Sequence, residues 1–444
     1  MNDSVQIANV NISNSRGLVE RLERIRTAAD QCRAKYAGNG SETKDWGSVA
    51  WDMWDMWGSA PPSSFQDSDT SGRVRTQLAI IQPSPLCNID CSYCYLPGRD
   101  DTAVMSQEIL KLSIRRLFES PFTYDAINLV WHAGEPLVVP KTFYEKAFGY
   151  IKSFNQNGVR VQNSIQTNGT LINESWCEFF SENSIDIGVS LDGPQFIHDA
   201  RRVDRQGKGT FDRTMRGVRL LQDRGIEFSI IMVLTDIALN HPDEIWNFFI
   251  AQGISRICFN VEEIEGANST SSLNAKTIQN RFERFFERII ELNEREKGVS
   301  VRELDFFFGN IRNGSRAHPV LSTENMPFRI VAIDHLGNIS TFSPELLTMR
   351  HFDYGDFLFG NVLHDSISDI ASSSKFLRVN KEIGYGIQKC KESCKHFLLC
   401  GGGTPVNKLY ENGCFDSTET MYCRLKVKSL SEIVMKDFEQ RYAL

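Results

Sequence analysis

Residues 85–98, PLCNIDCSYCYLPG, put three cysteines into eight positions: Cys87, Cys91 and Cys94. Three thiols cannot close two disulfides, and four-coordinate zinc wants a fourth ligand nearby. The spacing C-x3-C-x2-C is therefore one ligand short. The stretch follows an apolar run, TQLAIIQ, so the cysteines stand in the loop after a strand.

Working outward, strand-like runs AINLVW, VQNSIQ, IDIGVSL, FSIIMVLT and ISRICFNV alternate with helix-like runs such as SQEILKLSIRRLFES and KTFYEKAFGYIKSF. Six strands interleaved with helices predict right-handed βαβ units, an α/β fold with a parallel sheet closing as a partial (β/α)6 TIM barrel. Chemistry in such folds gathers at the C-terminal strand ends. The unusual residues stand there: the cysteine loop, HAGEP, QTNGT, SLDGP, VLTD and NVEE follow successive strands. The expected domains are an N-terminal extension over 1–74, the barrel over 75–298, a bridging region over 299–384 and a cysteine-rich unit over 385–444. In the bridging region, DHLGNIS and FLFGNVL predict a hairpin and a return.

The composition is that of an ordinary globular chain, 41% hydrophobic and 24% charged, which argues against disorder. A net charge of −7 gives no reason to expect nucleic-acid binding. No apolar run reaches membrane-spanning length. The N-terminus lacks signal-peptide features, so a cytoplasmic setting is expected. Eleven cysteines in a reducing compartment point to clustered metal ligands rather than disulfides. Cys32, Cys177 and Cys258 stand alone, as buried or inert thiols do.

Three thiolates on a 4Fe-4S cluster leave one iron open to another ligand. CNIDCSYCY resembles the cysteine loop of the radical S-adenosylmethionine enzymes, including the aromatic residue before the third cysteine. The resemblance implies that the open iron chelates the amino and carboxyl groups of the cofactor's methionine part. A zinc site completed by a distant histidine is the competing reading. By the same resemblance, Gly134 and Glu135 of HAGEP belong to the turn that meets the methionine amino group, with Ala133 in place of the first glycine. Gln166, Asn168 and Ser190 resemble residues that hold the cofactor's carboxylate and ribose, and Arg202 its carboxylate-binding arginine. Asp192 and Arg201 are read as structural, a loop cap and a solvated face.

The C-terminal run CKESCKHFLLCGGGTPVNKLYENGCFDSTETMYC resembles the SPASM extension of peptide-modifying radical enzymes. Two expected cysteines are replaced, by Phe342 and by Thr404, and no cysteine stands in the window before Gly337. The resemblance then implies one auxiliary 4Fe-4S cluster on Cys390, Cys394, Cys400 and Cys423, with Cys414 free. A four-cysteine zinc knuckle is the alternative. Two clusters are thus expected in all, one catalytic and one auxiliary.

Beyond these motifs, VWHAGEPLV, FNVEEIEG, STFSPELL, CGGGTPVNK and STETMYCRL resemble the GrrM/OscB-type maturases, which install cyclophane crosslinks in ribosomally made peptides. That resemblance covers residues 76–435 and implies a 5′-deoxyadenosyl radical that takes hydrogen from a β-carbon. The carbon radical then adds to an aromatic ring. Regaining aromaticity costs one electron and one proton, hence an auxiliary cluster and a base. Glu345 is the candidate base, with Asp356, Glu262 and Glu263 behind it. The implied partners are a precursor peptide with a leader and a flavodoxin or ferredoxin reductant. Sulfatase-maturase-like oxidation of a cysteine or serine is the alternative, and a non-catalytic iron-sulfur or zinc protein a third reading. Trp46, Trp51, Trp54 and Trp57, with Met53 and Met56, form either a docking segment or part of a leader site.

Overall fold

The structure is a computed structural model that describes residues 15–36, 74–275, 277–296, 298–313 and 322–444. The tryptophan-rich stretch lies outside the described residues. All six expected strands form: β1 (Leu78–Ile81), β2 (Ala126–Trp131), β3 (Arg160–Thr167), β4 (Ile185–Ser190), β5 (Phe228–Leu234) and β6 (Arg256–Val261). They pair parallel in chain order, the arrangement that right-handed βαβ crossovers produce. β1 and β2 are buried at every position, as strands covered on both faces are.

The sheet is larger than the six expected strands. β7 (Ser300–Val301) extends it beside β6, and β8 (Ile330–Ile333) joins the other edge parallel to β1. β9 (Asn338–Thr341) folds back antiparallel on β8, and Gly360–Asn361 returns along β9. The result is one open sheet of ten strands among the described residues, not a closed barrel. The hairpin and return read from DHLGNIS and FLFGNVL are these last strands.

Helices cover the sheet by their apolar stripes. Gln107–Glu119 is capped by the Ser106 hydroxyl, which accepts from the Ile109 N–H, and it buries Leu110, Ile114, Leu117 and Phe118. Ile278–Arg295 buries Phe282, Phe285, Phe286, Ile289 and Ile290 while its charged residues face outward. No helix among the described residues is long and apolar enough to cross a membrane.

Candidate active site

The loop after β1 carries Cys87, Cys91 and Cys94 close enough to feel one another electrostatically. Burial pushes the Cys87 thiol up to about 12 and Cys91 to about 11. Left alone these sulfurs stay protonated; only an incoming cation makes them thiolates. Donors already face them. The Ile89 N–H bonds the Cys87 sulfur, the Asn168 Nδ2 stands 3.8 Å from it, and the Arg202 Nη1 stands 3.8 Å from Cys91.

The turn after β2 packs beneath this loop. Ala133 and Gly134 both hold positive φ, 70° and 87°. A Cβ on Gly134 would come within 2.5 Å of the Ser84 carbonyl oxygen, so glycine is required for this approach. Glu135 turns inward: its carboxylate accepts from the Asn168 N–H at 2.8 Å, the Thr167 hydroxyl at 2.7 Å and the Leu137 N–H at 3.0 Å. Burial outweighs those donors and raises its pKa to about 7. At β3 and β4, the Gln166 amide donates to the Ser190 hydroxyl at 2.9 Å, and the Gln166 Oε1 is buried with no hydrogen-bond partner among the described residues.

Arg202 is already engaged. Its Nε and Nη2 grip the two oxygens of Asp192 at 3.0 and 3.2 Å, and Asp192 also accepts from the Val233 N–H and the Tyr93 hydroxyl. Asp192 is therefore more than a loop cap: it neutralises and orients the arginine. Arg201, by contrast, keeps a partly exposed contact with Asp236.

The second cysteine group converges as a set. Cys423 feels Cys400, Cys394 and Cys390; Cys400 feels Cys394 and Cys390; and Cys390 feels Cys394. Cys414 stands apart, beside Asp416 and Lys389. The glycines of CGGG wrap Cys400, whose sulfur accepts from the Gly402 and Gly403 N–H groups. Asn325, just ahead of β8, donates to the Gly401 and Gly403 carbonyls at 3.2 and 2.7 Å and anchors the group at the start of that strand. Phe342 is fully buried with its ring stacked on Phe376, 6.0 Å between centroids. Thr404 hydrogen-bonds Asn407 instead of serving as a ligand. Among the described residues no three Cys, His, Asp or Glu side chains gather around a single-ion point.

One cavity of about 620 Å³ reaches both groups, touching Cys91 and Cys94 on one side and Cys400 on the other. Gln166, Ser190 and Arg202 line it, as do Glu262, Glu263 and Glu345, whereas Gly134, Glu135, Asn168 and Asp356 do not. Asp356 pairs with Lys375 instead. Glu345 is 6% exposed and accepts from the Ser343 hydroxyl; burial raises its pKa. Three further carboxyls there are given no role by the sequence reading: Glu265 and Glu324, both raised by burial and by neighbouring carboxylates, and Glu303, where burial is outweighed by Arg302 and Lys426 and the pKa falls to about 2. Glu265 stands within the FNVEEIEG run, but only the return of β8 brings 324 beside it.

The sequence profile of the radical SAM superfamily matches residues 81–249. An uncharacterised protein of Synechocystis is 42% identical over 386 residues, which is 86% of this chain and 96% of that protein. A serine-type anaerobic sulfatase-maturating enzyme of Bacteroides thetaiotaomicron is 28% identical over 356 residues, covering 73% and 81% of the two chains. Among solved structures, native anSMEcpe with bound AdoMet superposes with a TM-score of 0.66 at 23% identity, covering 82% of this chain and 99% of that one. Streptococcus suis SuiB bound to precursor peptide SuiA gives 0.53 at 16% identity, covering 78% and 75%. These two likenesses establish the fold. The chain belongs to the radical SAM superfamily of enzymes.

Proposed function

We propose that this chain oxidises a side chain of a ribosomally made precursor peptide, beginning at the first cysteine group and passing the last electron to the second. The observation that carries the reading is the shared cavity, which three carboxyls of the expected set line together with thiols of both groups. When bound, a three-thiolate 4Fe-4S cluster with S-adenosylmethionine supplies the radical chemistry that removes a hydrogen atom.

The residues present fit these groups. Cys87, Cys91 and Cys94 would hold the first cluster, and Cys390, Cys394, Cys400 and Cys423 the auxiliary one. The N–H groups aimed at Cys87 and Cys400 suit anionic sulfurs. The orphaned Gln166 Oε1 is a buried acceptor waiting for a donor, such as the cofactor's ammonium or a ribose hydroxyl. Arg202, held by Asp192, offers its remaining nitrogen toward Cys91. Glu345 is the base that takes the proton at its carboxylate. A flavodoxin or ferredoxin is the expected electron donor.

One product of such an oxidation is a cyclophane crosslink between an aromatic ring and a β-carbon. Phe342 and Thr404, where second-auxiliary-cluster ligands would stand, support it. The named relatives favour the other product, a cysteine or serine oxidised as in sulfatase maturation.

The test is anaerobic turnover with the product of a small neighbouring open reading frame. Loss of two hydrogens without hydrazide capture supports the crosslink. Loss of two hydrogens with hydrazide capture, marking an aldehyde, supports the serine oxidation. An unchanged peptide despite 5′-deoxyadenosine formation rejects that peptide as substrate.

A further inference from the structure

Lys408 is one of the largest fully buried side chains, 2% exposed, on the helix Pro405–Asn412. Among the described residues, its ammonium nitrogen has one hydrogen-bond partner, the Cys390 sulfur at 3.5 Å. A lysine is almost never buried without a counter-charge. Here no carboxylate pairs with it among the described residues; the counter-charge has to come from the thiolates.

The first cysteine group has no such excess in the buried interior. Two cations act on Cys91: Arg202, cancelled by both oxygens of Asp192, and Arg99, paired with Asp90 at 2.7 Å. Arg205 donates to the Cys87 carbonyl from an exposed position, where solvent screens its charge. Lys428, the other cation near Cys423, is cancelled by Glu419. The two thiol sites therefore differ in one buried, uncompensated positive charge, held on the second. Charge and hydrogen bonds at the sulfurs are among the terms that set an iron-sulfur potential. A cluster gaining an electron becomes more negative by one unit, and a fixed cation beside it favours that state.

We propose that Lys408 is a positioning residue that raises the reduction potential of the four-cysteine site and makes it the electron acceptor of the pair. This rests on the reading of that site as a 4Fe-4S cluster. Lys408 stands within CGGGTPVNK, but nothing in that run singles it out, since only folding buries it beside Cys390 without a carboxylate.

The test uses full-length chain carrying Cys87→Ala, Cys91→Ala and Cys94→Ala, reconstituted anaerobically so that only the second site binds iron. Its midpoint is followed by EPR-monitored titration, alone and with Lys408→Gln or Lys408→Arg. The expected result is a downward shift in Lys408→Gln of about tenfold in the one-electron equilibrium, about 59 mV, with Lys408→Arg close to the parent. Iron lost from Lys408→Gln but kept by Lys408→Arg also supports a required cation. An unchanged midpoint in Lys408→Gln overturns the role of Lys408 while leaving the cluster in place. Iron lost from both variants marks a packing role and overturns it too. A parent that binds zinc, or no metal, overturns the cluster reading itself, and the proposal falls with it.

Discussion

Glu135 carries its ionisable group where water does not reach, and three donors do not compensate fully: its pKa rises to about 7. In the unfolded chain a glutamate titrates near its ordinary value, so between the two values the folded state binds more protons. Stability from this residue is fully present below about 4.5 and is lost as pH rises through about 7. Glu135→Gln does not titrate, so its cost relative to the parent shrinks with rising pH, by about 3 kcal/mol as an upper figure at 1.36 kcal/mol per unit. Urea unfolding of both apoproteins at pH 5 and pH 8 checks this; a penalty that grows toward pH 8 would contradict it. Glu345 makes a kinetic claim. As the base it is inactive while protonated, and burial raises its pKa, so product formation should climb with pH through that raised value. Glu345→Gln should cut modified peptide about 100-fold while 5′-deoxyadenosine still forms, read by mass spectrometry of both products. Equal loss in Glu263→Gln, with Glu345→Gln unaffected, would move the base to Glu263.

At the level of elements, the turn Gly401–Gly403 shows how backbone shape makes a ligand site. Gly402 has φ of 112°, and a Cβ there would stand 3.1 Å from Ile387. Gly402→Ala should cost roughly 1–3 kcal/mol of local strain and displace the two N–H donors from Cys400. The expected readout is iron falling from about eight to about four per chain, with the first site retained. Such a turn is legible in the sequence as three consecutive glycines beside a cysteine. So are β1, β2, β4, β5 and β6, each a largely apolar run bounded by polar turn residues, whereas β3, RVQNSIQT, shows only Val161 and Ile165 and is read from its place between two helical patterns. The second site is legible as a set of four thiols, yet its anchoring is not. Asn325 meets it only because β8 pairs with β1 across some 250 residues of chain, and no local pattern encodes that pairing. The seven residues after Tyr422, Cys423–Ser429, wind as a π-helix, a rare form found at functional sites. Its widened turn begins at the fourth cysteine, and local propensity does not announce it.

Over the whole molecule, the first and last described helices meet. The helix Arg16–Tyr36 buries Leu18, Leu22, Ile25 and Ala29 and lies against Leu430–Tyr442 and Arg302–Asn313. Arg21 reaches Glu432 at 2.5 Å and Glu439 at 2.7 Å, and Arg26 donates to the Ile311 carbonyl at 2.6 Å. Asn310, one residue before, lines the cavity. Magnitudes decide which contact holds the helix. Half-exposed ion pairs contribute about 0–1 kcal/mol each, whereas truncating a buried isoleucine costs about 2–5 kcal/mol. Ile25→Ala should therefore destabilise by about 2–5 kcal/mol and Arg21→Ala by about 1 kcal/mol, measured by urea unfolding; the reverse order would make the ion pairs the anchor. This bears on how the tryptophan-rich stretch is tested. Deleting residues 1–60 removes the docked helix together with the tryptophans, so weaker leader binding would follow from either loss. Replacing Trp46, Trp51, Trp54 and Trp57 by alanine in the full chain leaves the helix in place. If those side chains grip the leader, that variant keeps the parent's urea midpoint and binds the precursor more weakly; if they dock on the enzyme, the midpoint falls and affinity for the leader holds.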